Sequence, residues 1–230
     1  MPTQLPCCRL RDGEPLSDYF RPVRIICIGR NYADHAREMG HDPGREPPFF
    51  FFKPITALAR DGDFVMPSYS NEVHHELELV IALDQGGRNL SLQQAKNCVG
   101  GFGLGLDMTC RDIQRQAKEA GRPWELAKGF DGSAPCTAIA QGSFDDLEQL
   151  GIMTLTRNGN LVQKGHWRDM IWSIPELLQH ISRHVALQPG DLIFTGTPAG
   201  VGPVEAGDKL EARMEGFPKS LLLHITKEDI

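Results

Sequence analysis

Residues 73–83, VHHELELVIAL, constrain the fold more than any other part of the chain. Charged and apolar residues alternate through Glu76, Leu77, Glu78 and Leu79, which is the period of an extended strand, and from Val80 onward every residue is apolar. A strand of this kind runs from a polar site into a core. Residues two apart on a strand share a face, so Glu76 and Glu78 set two carboxylates side by side with their Cα atoms about 7 Å apart. Taken alone, such a pair also fits the solvent-facing edge of an antiparallel sheet.

The rest of the chain reads as more short strands than helices. RIICIG (24–29) is a strand ending at Gly29, and helical spacing follows over 31–39 until Gly40 stops it. After a Pro/Gly loop, FFFFKP is a buried strand with Lys53 at its end. LSLQQAKN is a short helix, and the glycine-rich strand after it delivers Asp107. Residues 109–121 read as a helix, with Thr109 and Asp112 at capping-box spacing. GIMTLTRNGNLVQKG is a hairpin turning at Asn158-Gly159. IPELLQHISRHVAL is a helix, and DLIFTGTPAGVGPVEAGD is a strand opening into a loop. No repeat, linker or low-complexity stretch divides the chain. The expectation is an α+β, β-rich mixed fold with peripheral short helices, residues 1–22 being an N-terminal extension and 23–230 a single catalytic domain.

At 230 residues, 40% hydrophobic and 23% charged, the chain can bury a substantial core, which excludes disordered and fibrous classes. Its net charge is −6 and its 24 basic residues are scattered, so no footprint for nucleic acid exists. An acidic substrate would need a local cation or a metal. The start lacks the pattern of a signal peptide and no apolar run reaches the roughly 18 residues of a membrane span, so a soluble cytoplasmic protein without a membrane partner is expected. The six cysteines form no CxxC pair, which fits reduced thiols, and adjacent Cys7 and Cys8 point apart too far to share a zinc ion easily.

Glu76 and Glu78 gain weight from their company. His74 and His75 flank them, and Asp107 ends a strand whose glycines permit close approach. Three carboxylates with open positions suit a hard cation such as Mg²⁺, whereas zinc prefers nitrogen and sulfur. His35 and Glu38 are three apart on a short helix, which fits either a pair that deprotonates water or a surface ion pair. His180 and His184 lie beside an apolar stripe without the glutamate of an HExxH site and read as solvated. Lys128 fits a cation at a cleft as well as an exposed lysine. TGTPAGVG offers backbone N–H groups and the hydroxyls of Thr195 and Thr197 to an anion, without the lysine of a Walker loop or the GxGxxG order.

Taken together and in order, GRNYADHAREMG, HHELELV, GLDMTCRD, GRPWELAKGFD and GDLIFTGTPAGVGPV resemble the fumarylacetoacetate hydrolase family, in its acylpyruvate and fumarylpyruvate hydrolase branch. The resemblance implies a mixed β-sandwich roll and a homodimer. It implies Glu76, Glu78 and Asp107 as ligands of Mg²⁺ or Mn²⁺, His35 and Glu38 as the water-activating pair, and Lys128 as a catalytic cation holding substrate or its oxyanion. Arg30, Gln114 and Thr197 match positions that line the substrate pocket. REPPFFFFKP looks closest to the fumarylpyruvate hydrolases of aromatic catabolism, whereas HHELELV and LDMT recur in acylpyruvases that also act on oxaloacetate. The implied activity is C–C hydrolysis of a small 2,4-dioxo acid; oxaloacetate decarboxylation or tautomerisation on the same metal site is the alternative, and a non-catalytic metal-dependent binding protein a third class. A distal carboxylate on the substrate would need a second cation, with Arg30, Arg45 and Lys53 as candidates.

Overall fold

A computed structural model describes the fold of residues 4–38 and 46–227. Its largest element is an eight-stranded mixed sheet in the order Pro15–Phe20, Leu5–Arg9, Ile139–Gln141, Val99–Leu106, Leu77–Leu83, Asp191–Phe194, Arg24–Gly29 and Phe49–Lys53. A five-stranded sheet runs Asn160–His166, Ile152–Arg157, Lys209–Met214, Leu221–Lys227 and Gly62–Met66.

Leu77–Leu83 lies near the middle of the large sheet and is buried along its whole length. Leu77, Leu79, Ile81 and Leu83 share one core cluster with Leu155, Leu210, Ala212 and Leu223 of the smaller sheet. Val80 and Ala82 face the other way, into a cluster with Ile25, Cys27, Leu192 and Phe194. Burial on both faces is why the polar alternation stops after Glu78. The helices are short and peripheral, and the 11 residues of Ile174–His184 form the longest of those described. That helix starts with a capping box between Ser173 and Glu176 and sends Leu177, Leu178 and Ile181 into the core. No described helix is long and apolar enough to cross a membrane.

The hairpin turns at Asn158 and Gly159, with φ values of 53° and 82° that suit the right-handed twist of the flanking strands. Residues 5–20 supply two strands of the large sheet, with Leu5 and Cys8 in its core clusters. One expectation meets a different arrangement. The helix expected over 109–121 spans Arg111–Glu119 and has no Thr109–Asp112 capping box. Thr109 and Cys110 first pair with His74 and Val73, and the Thr109 hydroxyl donates to the Asp107 carbonyl. The Asp112 carboxylate accepts from Ser70 Oγ and Asn71 N instead.

Candidate active site

The strand read as continuous over 73–83 is interrupted at Glu76. Val73–His75 pairs with Thr109–Cys110 and Gly202–Pro203, while Leu77–Leu83 belongs to the large sheet. Gln163 bridges the interruption: its Oε1 accepts from Leu77 N and lies against His75 Nδ1, both at 2.9 Å, and its Nε2 donates to Thr197 Oγ1 and Pro198 O. Glu76 is thereby fixed between two sheets, and its carbonyl accepts from Asp107 N at 2.9 Å. Glu78 lies opposite Gly105 in the sheet. A side chain at Gly105 would collide with Phe194, 2.5 Å from where its Cβ would stand, so glycine allows this close packing beneath the site. Gly196, at φ 99°, turns its N–H onto Glu78 Oε2 at 2.8 Å.

These elements bring one oxygen each of Glu76, Glu78 and Asp107 within 4.8 Å of one another, all buried. The solvent-facing edge is therefore excluded for this pair of glutamates. Three cations surround the cluster. Lys128 Nζ lies 2.8 Å from both Glu76 Oε2 and Asp107 Oδ2, Lys53 Nζ lies 2.9 Å from Asp107 Oδ1, and Arg111 bonds Glu76 Oε1. Burial works against the charge on Glu76, but Lys128 and Arg111 outweigh it and hold this carboxyl below the usual range. Among the described residues no cation pairs directly with Glu78, and burial with the charges of Asp107 and Glu76 pushes it well above that range despite the Gly196 N–H and Lys128. Burial also works against the Lys128 ammonium, which Asp107 and Glu76 nonetheless keep charged.

The donor set fits a hard divalent cation. All three groups offer oxygen, the crowding that raises Glu78 is what a cation relieves, and Asp107 Oδ1 accepts no hydrogen bond although Lys53 stands beside it.

His35 is buried, with Nδ1 3.3 Å from Glu38 Oε2, and Glu38 also accepts from Gly200 N at 3.1 Å. Burial lowers the His35 pKa from its ordinary value despite the opposing charges of Glu76 and Glu38, which favours a neutral imidazole able to accept a proton. Arg30, His35, Gln114, Lys128 and Thr197 line one pocket together with the three carboxylates, and Glu38 reaches it through His35.

Residues 24–220 match the fumarylacetoacetate (FAA) hydrolase C-terminal family. The chain belongs to the fumarylacetoacetate hydrolase family. This enzyme family's mitochondrial oxaloacetate tautomerase from Homo sapiens is 43% identical over 208 residues, covering 89% of this chain and 93% of that protein. The mitochondrial oxaloacetate decarboxylase of Dictyostelium discoideum is 39% identical over 205 residues, 88% of this chain and 93% of that one. A crystal structure of fumarylpyruvate hydrolase from Pseudomonas aeruginosa, in complex with Mn²⁺ and pyruvate, superposes with a TM-score of 0.91 at 39% identity, covering 99% of this chain and 98% of that chain. The sheet-rich fold with short helices is that of the fumarylacetoacetate hydrolase type.

Within this family member, several side chains depart from their reading in the sequence. Lys53 is not free for a substrate, because it donates to the carbonyls of Met108, Lys128 and Ser133 as well as facing Asp107. The Thr195 hydroxyl is used on Leu79 O, which leaves Thr197 as the threonine lining the pocket. Arg45 lies outside the described residues. His184 is exposed, while His180 is half-buried against the Phe50 ring. All six cysteines are buried and free. Arg111 was not singled out in the sequence, yet it is buried on Glu76 and donates to Gln114 Oε1 at 2.7 Å. Its spacing supplied a signal: Arg111, Gln114 and Lys118 stand at i, i+3 and i+7 on one helix face, and all three line the pocket.

Proposed function

We propose that the chain is a divalent-metal-dependent hydrolase that cleaves the C3–C4 bond of an acylpyruvate, with fumarylpyruvate as substrate and fumarate and pyruvate as products. The observation that carries this reading is the placement of His35, buried and oriented by Glu38, on the same pocket as Glu76, Glu78 and Asp107. In this reading the three carboxylates hold Mg²⁺ or Mn²⁺, and the Mn²⁺ and pyruvate bound by the Pseudomonas aeruginosa enzyme support that choice. A cation held there would supply Lewis-acid polarisation of the substrate's 2-oxo group and so make C3 a tolerable leaving group.

His35 takes a proton from water while Glu38 fixes the ring and stabilises the charge it gains. Hydroxide adds to C4, and Lys128 donates to the oxygen that becomes negative there. The C3–C4 bond then breaks with its electron pair on the pyruvate side. The enolate takes up a proton to give pyruvate, and the acyl carbon departs as a carboxylic acid. Gln114 and Thr197 orient the 2-oxo acid end of the substrate, and Arg30 stands toward its other end. The catalytic domain spans 23–230, with the two strands of residues 5–20 added to the edge of its large sheet, and the enzyme works as a cytoplasmic homodimer, a setting in which six buried, unpaired thiols stay reduced.

A second reading is tautomerisation or decarboxylation of oxaloacetate, which the 43% identity to the human tautomerase favours. It uses the same carboxylates but no attacking water. Incubating the Mn²⁺-loaded protein with fumarylpyruvate, acetylpyruvate and oxaloacetate and quantifying the products separates the two. Pyruvate and fumarate in equal amounts, at a kcat/KM above that for oxaloacetate, are expected; turnover of oxaloacetate alone would transfer the assignment to the second reading.

A further inference from the structure

Of the cations around the pocket, Lys53, Lys128 and Arg111 each already face a carboxylate. Arg30 and Lys118 do not. Among the described residues each lies against an aromatic ring: the Arg30 guanidinium is 5.5 Å from the centroid of Phe49, and Lys118 Nζ is 5.2 Å from that of Trp124. The two rings meet edge to face with centroids 5.6 Å apart, so the cations bracket one aromatic wall. Phe51 continues that wall toward Lys128, whose Nζ is 5.2 Å from its centroid.

The backbone at Arg30 is built to this end. Arg30 has φ 57°, a left-handed conformation that is unfavourable for a residue with a side chain. Gly29 before it carries the Phe49 ring flat against its Cα, where any Cβ would stand 2.0 Å from a ring atom. A strained turn and a glycine together seat the guanidinium over the wall at the pocket's edge. Lys118, itself exposed, stands one turn beyond the buried Gln114 on the same helix face and lines both the metal pocket and the adjoining cleft. Partial burial and the positive neighbours Arg111 and Arg30 disfavour its charged form, a repulsion that an incoming anion would relieve.

We infer that Arg30 and Lys118 form a second anion subsite, which binds the carboxylate at the far end of a flat, unsaturated dicarboxylic acylpyruvate. The inference rests on the acylpyruvate reading above. The 2-oxo acid end belongs beside Glu76, Glu78 and Asp107, the conjugated chain lies along Phe49, Phe51 and Trp124, and the distal carboxylate meets the two cations. Oxaloacetate, whose second carboxylate is attached directly to C3, has no conjugated chain to lie along the wall. An acylpyruvate with a methyl tail has no charge to place there.

The deciding experiment measures kcat/KM of the Mn²⁺-loaded wild type, Lys118→Met and Arg30→Met for fumarylpyruvate and for acetylpyruvate. The ratio of the two, fumarylpyruvate over acetylpyruvate, should fall about tenfold in each variant, chiefly through KM for fumarylpyruvate, as expected for one lost ion pair. The Lys118 side chain is itself exposed, so Lys118→Met decides the matter even if Arg30→Met disturbs its turn. A ratio equal to the wild type's in Lys118→Met, or a parallel loss for both substrates, overturns the subsite while leaving the hydrolase reading in place. Failure of the wild type to hydrolyse either acylpyruvate overturns the hydrolase reading and the subsite with it.

Discussion

Glu78 and Asp107 contribute one carboxylate each to the same cluster, yet their surroundings give them opposite effects on the folded protein. Glu78 is buried beside two like charges, and the Gly196 N–H and the more distant charge of Lys128 offset them only in part. Replacing it with Gln should raise the melting temperature of metal-free protein while weakening Mn²⁺ binding by calorimetry, because it removes both a repulsion and a ligand. Asp107 stands between Lys53 and Lys128, and Asp107→Ala would leave two buried ammonium groups short of a counter-charge. That variant should lose about 3–5 kcal/mol in denaturant unfolding, the scale of a broken buried ion pair. In the proposed hydrolysis His35 gives the pH dependence. It must be neutral to accept a proton, so kcat/KM should rise with pH through its pKa, and burial places that step below the ordinary histidine value of about 6.5. An acid limb above that value would show that another group limits the rate. Glu38 raises the His35 pKa, so Glu38→Gln should move the limb to still lower pH.

At the scale of elements, the site depends on a strand that breaks at Glu76 and on the Gln163 side chain that holds the break. Gln163 comes from Asn160–His166 in the smaller sheet and ties the larger sheet to the loop carrying Thr197. Gln163→Leu should cost about 1–3 kcal/mol for each buried group it leaves unbonded, foremost Leu77 N, and should also weaken Mn²⁺ binding as Glu76 loosens. A destabilised variant with native metal affinity would show that the clamp supports only the fold. The carboxylates themselves were legible because their signal is local: period-two spacing for Glu76 and Glu78, and a glycine strand leading to Asp107. The break at Glu76 was not, since its cause lies 86 residues from Leu77 along the chain. Lys53 could be placed at a strand end but not oriented, because a lysine that neutralises a buried aspartate and one that reaches solvent look alike in sequence. Thr109 and Asp112 had the spacing of a capping box, and tertiary pairing with His74 and Ser70 overrode it.

Across the whole molecule, the large sheet carries the site from its middle strands, and burial on both of its faces gives the carboxylates a rigid, poorly hydrated base. Glu76, Glu78 and Asp107 are crowded in the metal-free protein, and Lys128 and Arg111 offset only part of that crowding. A divalent cation should therefore stabilise the fold, with the melting temperature rising as Mn²⁺ is titrated into chelator-treated protein. The same preparation provides the most direct measurement of function: the rate of fumarylpyruvate loss by chelator-treated protein, before and after Mn²⁺ or Mg²⁺ is restored, for the wild type and for His35→Ala. The expected result is negligible turnover without metal and recovery on its addition, with His35→Ala binding metal but slower by a factor on the order of 10² to 10⁴. Full turnover by metal-free protein, or wild-type rates in His35→Ala, would contradict a metal-dependent hydrolysis in which His35 activates the water.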